Sequence, residues 1–424
     1  MDKRILYLVA AALLFCAALI AAEGGQEKAA RVTLTVAGRD GAYGDAMQLA
    51  ADQYSSRNPN VSFEILKLNG ASLLEKTVVE LSSGTGIYDL IMIDDPNAPR
   101  MMRAGWLANL DELYRSHGAT LDKDLIANVV KLGRQPYSDS GTLYALPHVG
   151  NVELFAYRKD LLDKYGYREL AKWDQVLQAA QKIAAGEPGV TPILFRGTKG
   201  NPIVSGFLPI YWAFGAEILD NDRPAFTSPQ ARNALDFFLR LAQYAPEGVS
   251  MYQSAQVRDA LYAGTGAIAI EVWPGWIGGL ENPEQSKVVG KVRVTTHPGE
   301  VEPSSSLIGV WLLGIPADSK QKDAAFDYLT FITSAEIQTL IARQTGIPPT
   351  RESVHKIQEL VQKYPWYPPE LDGLLGGVAR PRTDYWSEIE ANLGTNLQLA
   401  LIGDMSAGQA LQATQERVQE IVSK

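Results

Sequence analysis

One segment narrows the choice of fold more than any other. Leu90-Ile91-Met92-Ile93 is an unbroken apolar run, and Asp94-Asp95-Pro96 follows it at once. A strand without polar alternation is covered on both faces, as in a parallel sheet flanked by helices. Pro96 has no N–H to give a ladder, so the strand stops there. In open α/β sheets ligands sit just beyond the carboxyl ends of the strands. Two carboxylates at that spot require a partner with hydroxyl or cationic donors. One of them could instead cap a helix running from Asn97 to Ala104; the other would still need a reason.

The flanking sequence supplies the rest of such a sheet. Arg31 to Val36 alternates as a strand, and a Gly-rich bend, Gly38 to Gly44, carries Tyr43. Asp45 to Ser56 has the spacing of a helix, Val61 to Leu68 of a strand and Ser72 to Ser82 of a helix. With the Leu90 segment this makes βαβαβ, the order of a doubly wound sheet. Further strands are expected over Leu143 to Pro147, Val152 to Tyr157, Ala267 to Val272 and Ile308 to Ile315. Helices are expected over Trp173 to Ala185, Pro202 to Phe214, Ser228 to Ala245, Ser254 to Ala263, Lys320 to Thr333 and Ala335 to Gln344. Ser353 to Lys363, Trp386 to Ile402 and Ala407 to Val422 also have helical spacing, whereas Tyr364 to Thr383 is linker-like. At 424 residues the chain is too long for one ordinary core, so two domains are expected.

The amino terminus has the pattern of an export signal. Lys3 and Arg4 precede an uncharged apolar stretch, Ile5 to Ala22, closed by the small residues Ala21 and Ala22. Cleavage near Ala22 is expected, and the stretch is also just long enough to remain as an anchor. Cys16, the sole cysteine, lies inside it behind Leu14 and Phe15, where a lipoprotein signal needs small residues, so lipidation is not expected. A net charge of -9 without any basic cluster argues against nucleic acid as a partner.

Several familiar motifs fail on context. Gly264-Thr265-Gly266-Ala267-Ile268-Ala269 has dinucleotide-like spacing but lies between a helix and a strand, the reverse of the required order. Gly84-Thr85-Gly86 has the same defect, and both fit helix-to-strand turns. His117, His148, His297 and His355 stand apart without the spacing of metal ligands. No cofactor, metal or catalytic nucleophile is expected.

What remains is a set of aromatic residues beside polar ones at the ends of elements. Glu271, Trp273 and Trp276 follow one strand, and Trp311 lies on another. Trp212 ends an aromatic-rich helix, Asn151 and Glu153 follow Pro147, and Arg380, Arg382, Tyr385 and Trp386 crowd the start of a late helix. Flat apolar faces beside carboxylates, amides and guanidinium groups suit a sugar, which stacks its C–H faces and pairs its hydroxyls. The competing reading is that about half of these tryptophans fill the core, because Trp is highly buried on average.

In order and spacing, the mature chain resembles the extracellular solute-binding proteins of bacterial ABC importers, in the carbohydrate-binding family similar to maltose-binding protein. The strings that carry the resemblance are Tyr88 to Pro96 with Ala104 to Leu110, Leu143 to Pro147 with Tyr157 to Leu162 and Trp173, and Gly264 to Trp276. Ile308 to Pro316, Ala324 to Ile332 and Gly346 to Arg351 continue it. The resemblance implies a class II periplasmic-binding-protein fold: two α/β lobes, three chain crossings and a ligand cleft between. It places 31–147 with 311–347 in the first lobe and 148–310 with 348–424 in the second. Carried over, the acidic ligand group falls on Asp94 or Asp95, the first-crossing ligand near Asn151, and the stacking rings on Trp273 or Trp276 and on Trp386. The family's acidic first-crossing ligand is an amide here, which turns expectation from maltose toward other sugars, disaccharides or polyols.

The site expected on these grounds comprises Tyr43, Asp94, Asp95, Asn151, Trp212, Glu271, Trp273, Trp276, Trp311, Arg382 and Trp386, with Arg380 as the alternative guanidinium. The expected role is capture of a neutral carbohydrate, by a monomer in the periplasm or at the outer face of the inner membrane, for delivery to permease subunits. The rivals are a secreted hydrolase with Asp95 and Glu271 as acid and nucleophile, and a docking protein whose cleft binds nothing.

Overall fold

The computed structural model describes residues 31–303 and 306–423. The expected export segment, 1–22, and Cys16 lie outside them. Among the described residues, nine strands build two sheets: β1 (Val32–Arg39), β2 (Val61–Leu68), β3 (Leu90–Asp94), β4 (Ala145–Val149), β5 (Leu154–Arg158), β6 (Thr191–Leu194), β7 (Gly266–Val272), β8 (Val292–Thr295) and β9 (Trp311–Gly314). The first sheet has the order β2-β1-β3-β9-β4 and the second β8-β5-β7-β6.

In the first sheet β1 runs parallel to β2 and β3, joined by the helices Gly41–Arg57 and Gly70–Ser83. The apolar β3 run is buried throughout, and Met47, Ala50 and Ala51 of the first helix are closed off as well. β9 returns antiparallel between β3 and β4. Its register sets Trp311 opposite Asp94 and Leu312 opposite Ile93, which puts an aromatic ring beside the acid that ends β3.

The second sheet is centred on β7, buried along its whole length, parallel to β6 and antiparallel to β5. The β7–β5 register shifts between Ala269 and Val272. Such irregularities re-aim side chains near sites, and Glu271 lies within this one. The helices Asn201–Ala213, Trp386–Leu401 and Ala407–Val422 pack beside this sheet, with Trp386, Leu393 and Leu397 in its core.

The connecting stretches are stitched to one another. Gly150 N–H donates to Pro348 O (2.9 Å), Glu153 N–H to Leu307 O (2.9 Å), Gly309 N–H to Asn151 O (3.0 Å) and Ile308 N–H to Val378 O (3.0 Å). A Cβ at Gly150 would lie 2.1 Å from Pro349 O, so only glycine permits this approach.

Several boundaries differ from expectation for local reasons. The helix after β1 begins at Gly41, whose φ of 64° no other residue adopts easily, so Tyr43 sits in a first helical turn and not in a loop. The strand expected from Ile308 is shorter, because 307–309 is engaged in the crossing pairs. The linker-like stretch contains a helix, Tyr367–Gly376, with Pro368 in its first turn, where proline is well tolerated, and Glu370, Leu371 and Leu374 buried. Ser353 to Lys363 forms two short helices, Glu352–His355 and Gln358–Lys363. Both glycine strings are helix-to-strand turns, with Gly84 and Gly264 as left-handed helix caps.

Candidate ligand-binding cleft

The carboxyl ends of β3, β6 and β7 converge on a cleft with two adjoining parts. An inner cavity of about 270 Å³ is lined by Tyr43, Asp94, Asn151, Arg196, Trp273 and Arg380, together with Arg39, Asn201, Ser254, Gly309 and Trp311. A recess of about 180 Å³ adjoins it through Arg39, Asp94, Asn201 and Trp311, with Met92, Ile93, Met101, Trp386 and Glu390 in its walls.

The two aspartates after β3 have different positions and partners. Asp95 is fully buried; one carboxylate oxygen accepts from Arg380 (2.6 Å) and the other from Arg382 (3.0 Å). Arg382 also donates to the carbonyls of Asp95 (2.8 Å) and Leu132 (2.7 Å). Neither aspartate side chain caps the helix that follows. Asp94 keeps 32% of its side chain open to the cleft and receives one bond from Arg380, at 3.2 Å. Burial by the cleft walls pushes its pKa up to about 6; Arg380 pulls it down, and Asp95 and Glu390 push it up further. Burial works against the charge on Arg380, but Asp95 and Asp94 more than offset it and raise its pKa.

The opposite wall rests on a second buried ion pair. Glu271 Oε1 accepts from the backbone N–H of Arg196 and from its Nε, each at 2.8 Å, and Ser205 Oγ contacts both partners. The Arg196 guanidinium lies 5.8 Å from the Trp273 ring centroid, at cation–π distance. Tyr43 Oη donates to Asn151 Oδ1 (3.2 Å), and Asn151 Nδ2 donates to Gly309 O (3.0 Å), so the amide is held by both neighbours. Arg39 lies over Trp311, 5.2 Å from its centroid. Glu153 is buried next to His297 Nε2 (3.3 Å), and burial raises its pKa well above the usual carboxylate range.

Of the residues expected from sequence, Tyr43, Asp94, Asn151, Trp273 and Trp311 line the inner cavity, and Trp386 lines the recess. Asp95 and Glu271 lie behind the walls, each holding arginine. Arg380 reaches the cavity; Arg382 does not, being committed to Asp95 and Leu132 and stacked on Tyr137 (5.6 Å). Trp276 faces a different groove. Trp212 packs half-buried against the second core. It shares a helix with Ser205, but lies two turns, about 10 Å, further along the axis. Arg39, Arg196, Asn201 and Glu390 were not anticipated. The first two could have been, since Arg39 ends β1 and Arg196 follows β6, at the strand ends where ligands gather.

Gly309 sets the position of the Trp273 ring. A Cβ there would lie 2.8 Å from Trp273 Cζ3 and 3.2 Å from Asn151 Nδ2. Gly309→Ala should therefore displace the ring and the amide, at about 1–3 kcal/mol of overpacking, and weaken ligand binding while circular dichroism stays native. Wild-type affinity by calorimetry would show that the ring position is irrelevant.

Comparison with known proteins agrees with this geometry. Residues 40–339 match the family described as bacterial extracellular solute-binding protein. A mannitol-binding protein of Pseudomonas aeruginosa is 29% identical over 396 residues, which span 87% of this chain and 88% of that protein. A solute-binding protein from Agrobacterium radiobacter K84, solved with ribitol, superposes with a TM-score of 0.81 at 26% identity, covering 92% of this chain and 99% of that one. The maltose-bound MalE3 of T. maritima superposes with a TM-score of 0.80 at 25% identity, over 92% and 99% of the two chains. These neighbours share the two-lobed α/β architecture, and the chain belongs to the bacterial extracellular solute-binding protein family.

Proposed function

We propose that this protein captures a neutral sugar or polyol outside the inner membrane and hands it, chemically unchanged, to the permease of an ABC importer. The observation that carries this reading is the convergence of a carboxylate, an amide and guanidinium groups, at Asp94, Asn151, Arg39 and Arg196, in one cavity that Trp273 and Trp311 also line. Vicinal hydroxyls need such donors and acceptors in one place, and the sugar's C–H faces need the rings. The mannitol- and ribitol-binding relatives support it.

The proposed lobes are 31–147 with 311–347 and 148–310 with 348–424. Asp94 and Trp311 then belong to one lobe, and Arg196, Trp273 and Arg380 to the other. A ligand touching both favours the closed state and is released when the hinge opens. The hydrolase alternative loses support because Asp95 and Glu271 are both engaged by arginine. Export through the amino-terminal segment and action as a monomer complete the proposal.

A thermal-shift screen with mannitol, ribitol, glucose, maltose and trehalose tests it. At least one should raise the melting temperature, since a ligand bound only by the folded state stabilises it, and should be recovered intact. No shift with a broad carbohydrate set, or turnover of the bound sugar, would overturn the reading.

The raised pKa of Asp94 gives a pH dependence. Hydroxyls donating to Asp94 need it ionised, which holds above about pH 6 and is lost below. Affinity should therefore fall between pH 7.5 and pH 5, by up to about tenfold per unit below the pKa. Asp94→Asn should bind more weakly and remove most of that slope. Equal slopes in wild type and variant would assign the titration elsewhere, with Glu390 in the adjoining recess the first alternative.

A further inference from the structure

The recess beside the inner cavity differs from it in chemistry. Among the described residues, no Leu, Ile, Val or Met lines the inner cavity. The recess has five such side chains, Leu73, Leu74, Met92, Ile93 and Met101, and the rings of Trp311 and Trp386 extend its apolar surface. Leu73, Met92, Ile93 and Met101 are each only 2% exposed and belong to the first core, so this floor is held in place from behind. The polar groups that the recess does not share with the inner cavity are engaged within the protein. Thr77 Oγ1 donates to Leu73 O (2.7 Å), Ser387 Oγ to Asn97 Oδ1 (3.3 Å), and Glu390 Oε1 accepts from Asn201 Nδ2 (3.0 Å).

A sugar ring in the recess would bury hydroxyls against methyl and thioether groups, and a buried hydroxyl without a partner is costly. An alkyl or aryl group has no hydroxyl to satisfy and gains from the same contacts. The two methionines can adapt to either shape. The volume of about 180 Å³ suits such a group; a dry cavity of about 150 Å³ lined by Leu, Ile and Phe takes up benzene. Arg39, Asp94, Asn201 and Trp311 line both spaces, so a group in the recess lies against walls that a sugar in the inner cavity also meets. The recess draws on both proposed lobes, with Leu74 and Met101 on one side and Trp386 on the other. An occupant touching both favours the closed form.

We infer that the recess holds an apolar, hydroxyl-free substituent, an alkyl or aryl group no larger than a phenyl ring, carried by the sugar or polyol whose hydroxyls meet the inner cavity. The inference rests on the carbohydrate reading and extends it to the class of ligand: a glycoside or ether with one hydrophobic end, in place of a fully hydroxylated sugar.

The test compares glucose, galactose and mannose with their methyl and phenyl glycosides, in both anomers, by calorimetry on the full mature chain. At least one phenyl glycoside should bind about ten times more tightly than its parent sugar, as burial of an apolar group of that size implies. Maltose, which adds bulk together with hydroxyls, should gain less over glucose than that. Leu74→Gln, outside the inner cavity, should remove the phenyl gain and leave the parent sugar within about twofold of wild type. Met101→Gln keeps the length of the side chain and should reduce the gain. With ¹³C-methyl-labelled methionine, the Met92 and Met101 signals should shift with the phenyl glycoside and stay in place with the parent sugar. If any unsubstituted sugar or polyol binds but no alkyl or aryl glycoside binds more tightly, or if the methionine signals respond equally to both, the apolar substituent is wrong and the carbohydrate reading stands. If no probe of either kind binds, the carbohydrate reading falls and this inference with it.

Discussion

Asp95→Ala should lower the unfolding free energy by about 3–5 kcal/mol, the range for removing one partner of a buried ion pair. The carboxylate is fully buried and serves two guanidinium groups that are themselves nearly closed off, so its loss leaves Arg382 without a counter-charge and Arg380 with the longer contact to Asp94. The same carboxylate ties the end of β3 to the segment that leads into the helix Trp386–Leu401, so the loss should be felt by the whole fold. The measurement is the urea midpoint of the purified variant. The adjacent change should do the opposite. Asp94→Asn should leave the midpoint close to wild type and weaken sugar binding by about 1.5–3 kcal/mol, the range for hydrogen bonds to charged groups. If Asp95→Ala unfolds like wild type and instead loses only affinity, the roles of the two aspartates are reversed.

Trp273→Ala should weaken binding by about 1.5–3 kcal/mol, the worth of a large apolar side chain taken out of contact, which is roughly ten- to more than a hundredfold. The indole forms one wall of the inner cavity, held between the Arg196 guanidinium and the backbone at Gly309. Because the ring is only partly buried, the melting temperature of the ligand-free protein should change less than the affinity does. Ligand-dependent change in tryptophan fluorescence should shrink in the same variant. Affinity within twofold of wild type would remove this ring from recognition and leave Trp311 as the stacking face.

The contrast between Asp94 and Asp95 shows what could be read before the fold was known. Their position at a strand end told of a need for hydroxyl or cationic donors, and the structure supplies cationic ones. Asp95 finds its cations within the chain, 285 and 287 residues away. Asp94 remains turned to the cleft. Nothing in the string Ile93-Asp94-Asp95-Pro96 distinguishes them, because the difference depends on which side of a turn faces two distant arginines. Trp273 and Trp276 pose the same problem. They are three residues apart across Pro274-Gly275, yet Trp273 lines the inner cavity and Trp276 a different groove.

What the sequence determined by itself is the class of fold and the kind of chemistry. Apolar periodicity is a local property: the fully apolar β3 and the alternation of strand and helix require a covered parallel sheet, and strand ends require a ligand edge. Sequence order likewise carried the family, whose matched strings are spread from Tyr88 to Arg351. Tertiary structure alone decided which polar groups are spent inside the protein and which stay available. A carboxylate or guanidinium has the same local signature in both roles, and only the packing of Arg380, Arg382 and Arg196 against Asp95 and Glu271, from elements far apart in the chain, removes the buried charge that would otherwise be uncompensated. Asp94, with its single longer bond from Arg380, and Arg39, Trp273 and Trp311 line the inner cavity and are the groups proposed to meet a ligand.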